Sequence, residues 1–426
     1  MVRRIAPLLN VGLRMGTLAT RFALVFLLAR YLDAASLGYY GLFTAATGYA
    51  LLCVGLDLYV YTSREITKID VSRRGQLLKS QATLVGLLYC VLIPVAVIVL
   101  PSAGLPEGLL WWFVPILVLE HLNQELYRLL IILSRQLTAS LLLFVRQGSW
   151  AIAAAILMTV DAQSRNLDFV MALWAASGAV AGAIGLWQLY RLGMGGWRAP
   201  VDWAWLRKGV MVSGAFLVAT LSVRAIQTVD RYWLESLAGI ETVGAYVLFF
   251  GVASALTVFL DAAILSFRYP EMVAHAHQGE HEALHRKVRI AVIQVVAVSV
   301  AFSIISLILL PYLLEWIGQP VYLASMGIYY WVLSGIIAYS IGMVPHYALY
   351  ALGHDRTLVL SHISALLIFI GATLATIPLS RAYAVPIGVT IAMVAVLLWK
   401  SLAYWSCARA HRLQAYDLKV ESGLNA

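Results

Sequence analysis

Twelve stretches of about twenty predominantly apolar residues follow one another along the chain, separated mostly by short polar connections. They run near 9–30, 38–61, 80–100, 109–133, 139–160, 168–190, 209–234, 243–267, 289–310, 325–350, 357–379 and 383–405. A segment in lipid must satisfy its own backbone hydrogen bonds, so each stretch is expected to be a helix. The ten-residue alternation of a membrane barrel is absent. The expected fold class is an all-α polytopic membrane protein of about twelve transmembrane helices.

Composition supports this and narrows the function. Of 426 residues, 62% are hydrophobic and 12% charged, which is too few charges to cover a soluble surface. The spans take up roughly 250 residues and leave about 175 for connections and tails. No ATP-binding cassette or outer catalytic domain fits there, no G-x-x-x-x-G-K-[ST] phosphate loop occurs, and no cofactor is implied. Cys53 and Cys90 sit inside apolar runs and Cys407 at the end of the last, so no disulfide framework is expected. Arg14 and Arg21 interrupt the first apolar stretch, which argues against a cleavable signal.

Charge placement orients the chain. With the N-terminus in the cytoplasm, 21 Lys and Arg fall in cytoplasmic segments, among them Arg3, Arg4, Lys400, Arg412 and Lys419. Only four, Arg30, Arg165, Arg231 and Arg381, fall on the other side. That asymmetry predicts an even helix count and two cytoplasmic termini, and it assigns the net charge of +9 to topology rather than to nucleic acid. Residues 191–208, with Gly193, Gly195, Gly196 and Pro200, read as a linker between halves 1–190 and 209–405, followed by a tail, 406–426. Residues 37–65 align without gaps to 243–271, with five identities in 29: Gly38 with Gly244, Tyr40 with Tyr246, Leu42 with Leu248, Phe43 with Phe249 and Glu65 with Glu271. This pairs span 2 with span 8, as a parallel six-plus-six duplication requires.

Ionisable groups at membrane depth are costly and usually face a cavity or a partner. Asn10, Arg14, Thr17 and Arg21 share one face of span 1. Ser213, Thr220, Arg224, Gln227 and Arg231 form a similar stripe on span 7. Cationic stripes on equivalent helices suggest a hydrophilic cleft for an anionic guest, and the arginine fork suits phosphate. The competing reading is structural pairing. Depth matches Arg14 to Asp57 and Arg146 to Glu125. Asp230 adjoins Arg231, but neighbours on a helix point apart. Asp57 and Asp261 are candidates for a coupling proton or sodium. On span 4, Glu120, Asn123, Gln124 and Tyr127 either line the cleft, bonding sugar hydroxyls, or join helices within one bundle.

Before span 9, AHAHQGEHEALH holds His275, His277, His281 and His285, and His281-Glu282-Ala283-Leu284-His285 matches the zinc-protease pattern H-E-x-x-H. Its place in a short cytoplasmic hairpin, with no domain to close a dry pocket, favours a solvated surface helix over a metal site.

ARYLDAASLGYYGLF at 29–43, VGLDLYVYTSREI at 54–66 and TVDRYWLESLAGIETVGAYVL at 228–248 resemble bacterial polysaccharide exporters. These form the O-antigen flippase branch of the multidrug/oligosaccharidyl-lipid/polysaccharide (MOP) flippase superfamily. The resemblance implies two six-helix lobes around a central cationic cavity, alternating access, and an undecaprenyl-diphosphate-linked oligosaccharide as cargo, carried to the periplasmic leaflet of the bacterial inner membrane. It implies diphosphate binding by Arg14, Arg21, Arg224 and Arg231, and a glycan polymerase and glycosyltransferases as pathway partners. The alternatives are a cation-coupled drug exporter of the same superfamily, whose cavity is expected to be acidic, and a membrane glycosyltransferase or polymerase, which needs longer outer loops.

Overall fold

The computed structural model describes the backbone of residues 2–424 and the side chains of 8–409 except 215, 216 and 219. Arg3, Arg4, Arg412 and Lys419, counted above as cytoplasmic, lie outside the described side chains. In chain order the helices are α1 Val2–Tyr31, α2 Ala34–Gly55, α3 Tyr59–Ile66, α4 Val71–Ser102, α5 Glu107–Ile132, α6 Gln136–Leu143, α7 Trp150–Val160, α8 Leu167–Arg191 and α9 Trp203–Ala238. Then follow α10 Ile240–Leu260, α11 Ser266–His277, α12 His281–Ile317, α13 Pro320–Ala324, α14 Met326–Ala351, α15 Asp355–Thr376 and α16 Arg381–Leu424. Among the described residues no strand occurs.

All twelve expected spans are helical. Among the described residues, ten of the helical stretches are long and apolar enough to cross a membrane, and the chain is a multi-pass membrane protein. The other two spans are α5, with Glu120, Glu125 and Arg128 inside it, and α9, with Arg224, Asp230 and Arg231. Large apolar side chains point outward, among them Trp111, Val160 and Leu379. Trp187 and Tyr190 at the end of α8, and Tyr312 and Trp316 at the end of α12, stand where interfacial aromatics belong. Asp33, Asp70 and Asp202 cap α2, α4 and α9 by accepting from backbone N–H groups. Hydrogen bonds from Ser72 hold the Asp70 carboxyl below its ordinary value.

Three spans are interrupted where no proline marks a break. Span 2 stops at Gly55, and Leu56 and Asp57 take left-handed backbone (φ 48° and 50°) before α3 begins. Span 5 carries a π-helical turn, Phe144–Ser149, and span 8 another, Asp261–Leu265. In the alignment of 37–65 with 243–271, the breaks in spans 2 and 8 fall at equivalent positions.

By packing, the chain forms two compact units, Met1–Leu248 and Phe249–Ala426. In the first, the starts of α2 and α10 cross closely. A Cβ on Gly38 would meet the Ile240 carbonyl at 2.3 Å, and one on Gly244 would meet the Ala34 carbonyl at 2.0 Å. Ala34 aligns with Ile240 as Gly38 does with Gly244, so a local two-fold relates the two contacts. The expected linker is fastened to α4: Gly75 N–H donates to the Gly195 carbonyl (2.8 Å), Gly195 N–H to Val71 (3.1 Å), Gln76 to Pro200 and Lys79 to Ala199. In the second unit, Leu256, Leu260, Leu284, Val288 and Val344 form a core.

Candidate functional site

The polar stripe of α1 packs against span 5 within the first unit. The Arg14 Nε donates to Ser140 Oγ (3.0 Å), and Ser140 in turn donates to Asn10 Oδ1. Thr17 is buried and donates to the Leu13 carbonyl. Arg21 is exposed and donates to Gln147 Oε1 (3.1 Å), which the π turn presents. The expected Arg14–Asp57 pair is not formed: Arg14 is met by a hydroxyl, and Asp57 sits half-buried in the left-handed break.

On α9, Arg224 is exposed and donates to Gln227 Oε1 one turn on (3.2 Å). Arg231 donates to the Gly41 carbonyl of α2 (3.2 Å), and Asp230, buried, accepts from Tyr246 Oη (2.8 Å). Those two residues therefore staple α9 to α2 and α10. Tyr40 of α2 lies beside the Trp174 ring of α8, 6.3 Å between centroids. Among the described residues no ion pair engages Arg21 or Arg224.

The Trp174 ring belongs to a buried polar knot. Arg146 pairs with Glu120, its Nε donating at 2.9 Å, and Trp174 Nε1 donates to the other Glu120 oxygen (2.8 Å). Trp150 stacks on Trp174 at 5.6 Å between centroids, and Phe43 closes on it edge-first. Depth along the sequence had matched Arg146 to Glu125. Instead Glu125 accepts from Arg128 (2.8 Å) and from Gln81 (2.8 Å). Of the span 4 face, Glu120 is thus an ion-pair partner. Asn123, fully buried, joins α5 to α8 by donating to the Gly178 carbonyl (2.8 Å). Tyr127 packs against the apolar cluster that includes Leu130, Ala139 and Leu142, and Gln124 is half-buried. Asp261 is exposed at the start of its π turn.

The histidine segment is built into the second unit. His275 contacts Glu280 (2.7 Å), Leu284 enters the core, and His285 meets Tyr404 Oη of α16. Among the described residues no three His, Cys, Asp or Glu converge as a metal site.

One cluster escaped the sequence reading. Lys400, counted above as a cytoplasmic cation, is 2% exposed inside the second unit. Its Nζ lies 3.1 Å from His362 Nε2, and the His362 ring stacks on His346. The signal was available: position 400 falls within the span drawn over 383–405, and His346 and His362 fall within spans 10 and 11.

No family model matches the chain, and no curated protein matches it by sequence. Solved structures do match by fold. An inward-facing multidrug resistance MATE family transporter of the MOP superfamily matches with a TM-score of 0.67 at 13% identity, over 95% of this chain and 98% of that one. An outward-facing conformation of such a transporter matches at 0.58, with 14% identity over 95% of each chain. The bent form of the Vibrio cholerae MATE transporter VcmN matches at 0.57, with 14% identity over 96% of this chain and 99% of that one. These neighbours belong to the multidrug branch and do not single out the saccharide branch suggested by the local motifs. What they establish is architecture: the chain has the fold of MATE transporters of the MOP superfamily.

Proposed function

We propose that the chain is a transporter, not an enzyme, and that it works by alternating access on a cargo with an anionic head. The observation that carries the cargo reading is the pair Arg21 and Arg224. Each is exposed within a span, each is steadied by a neutral glutamine, and neither is ion-paired among the described residues. Two such forks on equivalent helices suit a diphosphate. With the motif resemblance this points to an undecaprenyl-diphosphate-linked oligosaccharide, moved across a bacterial inner membrane with both termini cytoplasmic. A polymerase and glycosyltransferases of the same pathway are the expected partners. The duplicated halves 1–190 and 209–405 are the proposed repeats, supported by the aligned helix breaks and the reciprocal glycine contacts.

A second reading is a cation-coupled small-molecule exporter. The likeness in fold favours it over the glycan cargo, because the structural neighbours are multidrug resistance transporters. Asp57 and Asp261, at the breaks of spans 2 and 8, are then the coupling candidates.

One experiment separates the two. Cells lacking the protein are scored for lipid-linked glycan held in the inner leaflet and for retention of a lipophilic cation such as ethidium. Complementation uses Arg21→Glu and Arg224→Glu, each with membrane abundance measured. Loss of glycan export at normal abundance, partly restored by Lys, supports the first reading. Normal glycan export with ethidium retention in the deletion strain overturns it in favour of the second.

A further inference from the structure

In the second unit, three basic side chains from three spans meet without an acid. Lys400 of α16 is 2% exposed, and its Nζ lies 3.1 Å from Nε2 of His362 on α15. The His362 ring lies parallel to that of His346 on α14, with 5.7 Å between centroids. His346 Nδ1 is buried and has no hydrogen-bond partner among the described residues. Both histidines are half-buried, so each reaches the surface of the unit, whereas Lys400 does not. Ionisable groups at this depth are rare unless they carry function.

The elements packed around the cluster supply no counter-charge. α14 contains no Asp or Glu. Besides His346 it offers Tyr339, Tyr347 and Tyr350, the last two set against Tyr269 of α11. α15 has one acid, Asp355, beside Arg356 at its start and next to His354. Asp355 is seven residues from His362, roughly 10 Å along the helix. The antiparallel register agrees, because His354 meets Cys407 (3.3 Å), seven residues beyond Lys400. The described part of α16 has no acid, and Tyr404, one turn past Lys400, contacts His285 of α12. Among the described residues no ion pair includes Lys400, His362 or His346.

A cation buried without an acid is costly, and a second cation beside it is more so. The cluster therefore takes one proton beyond the neutral state, not two. That proton has two places. With the Lys400 ammonium donating to His362 Nε2, the imidazole carries its own hydrogen on Nδ1; with the proton on Nε2, the neutral amine accepts. We propose that Lys400, His362 and His346 form a proton-binding site, which holds one proton in common and whose occupancy sets how firmly α15 is held to α16. The proton leaves through His362, which reaches the surface: Nδ1–H passes to water while Nε2 takes the proton of Lys400, and both side chains end neutral. His346, stacked on His362, holds that ring in place and disfavours a second proton on it. A hydrogen bond from a charged donor is about twice as strong as a neutral one, so loss of the proton loosens the link. The site belongs to the second unit and does not depend on the cargo reading above.

The test uses the full chain in phosphatidylcholine nanodiscs over a pH series from about 4 to about 10, with thermal unfolding confirming that each variant folds. Hydrogen exchange at the imidazole C2 position, read by mass spectrometry, gives a titration midpoint for each histidine. Groups that share a proton titrate together, so the His362 midpoint is expected to differ by about one pH unit or more between wild type and Lys400→Met, while that of His354 stays in place. Backbone exchange of α15 around His362 is read at each pH as the ratio of wild type to Lys400→Met, which cancels the intrinsic pH dependence of exchange. That ratio is expected to rise about fivefold from the acid to the alkaline end. His362→Gln keeps an acceptor for Lys400 but removes the second base, and is expected to abolish the rise; the ratio of wild type to His362→Gln serves if Lys400→Met does not fold. An unmoved His362 midpoint, a ratio that stays flat with pH, or the same rise in His362→Gln would each overturn the proposal.

Discussion

Replacing Glu120 by Ala removes the acceptor of three hydrogen bonds: two from Arg146 and one from Trp174. Both side chains of the ion pair are less than a tenth exposed, so water cannot replace the lost partner. Hydrogen bonds to charged groups contribute about 1.5–3 kcal/mol each, and stranding a buried charge costs about 3–5 kcal/mol in total. Taking about 4 kcal/mol, the ratio of folded to unfolded protein falls by about a thousandfold. Arg146→Ala is expected to cost a similar amount, because it strands the carboxylate. The double variant Glu120→Met with Arg146→Met removes both charges and fills the volume, so it is expected to cost less than either Ala variant, the remainder being about 1–3 kcal/mol for the Trp174 N–H left without its acceptor. Glu120→Gln keeps an acceptor for Trp174 and falls between. The assay is a double-mutant cycle on purified protein in detergent, read by denaturant unfolding and by membrane abundance. If the two Ala variants cost less than about 0.5 kcal/mol each, or their effects add within that margin, the pair is not the buried unit described here.

Gly38→Ala and Gly244→Ala each place a methyl against a carbonyl of the crossing helix, so each is expected to lower membrane abundance, whereas Gly48→Ala, with open space around it, is expected to leave abundance unchanged. Lys400→Met removes a buried ammonium that pairs with no acid among the described residues; unfolding temperature is expected to stay level or rise, and a large fall would show that Lys400 is needed to hold His362. Arg14→Ala loses one bond to Ser140 and is expected to cost about 1 kcal/mol, and adding Asp57→Ala is expected to restore nothing, since the two do not pair. Recovery of abundance in the double variant would refute that placement.

The twelve spans were legible because lipid allows few solutions: a run of apolar residues of the right length is a helix. The breaks inside them were not. Gly55-Leu56-Asp57 contains no proline, and a π turn is one extra residue in a ladder, which leaves the hydrophobic pattern nearly intact. Arg146 lies in the π turn at 144–149 and reaches Glu120, which is five residues, roughly 7.5 Å, along α5 from the depth-matched Glu125. A long side chain spans that difference, and depth along an axis says nothing of its direction around the axis. Lys400 was misplaced for a related reason. A cation near the end of an apolar run reads as interfacial, yet α16 continues to Leu424, so 405 is no helix end. The stripes on α1 and α9 were visible from spacing alone, but which members serve packing was not. Asn10, Arg14 and Thr17 are held within the bundle, and the sequence carries no mark that separates them from Arg21.

The fastening of residues 195–202 to α4 bears on how the chain tolerates being cut. The backbone of this segment is paired with Val71 and Gly75, its carbonyls take Gln76 and Lys79, and Asp202 N–H reaches Ser80. A nick there would sever the covalent thread while leaving the severed ends bound to one helix, so split expression at this point is poorly suited to producing independent halves. The turn at 278–280 offers the opposite case: a Gly279 with φ 71° and open space beside it is the place where an inserted tag has room.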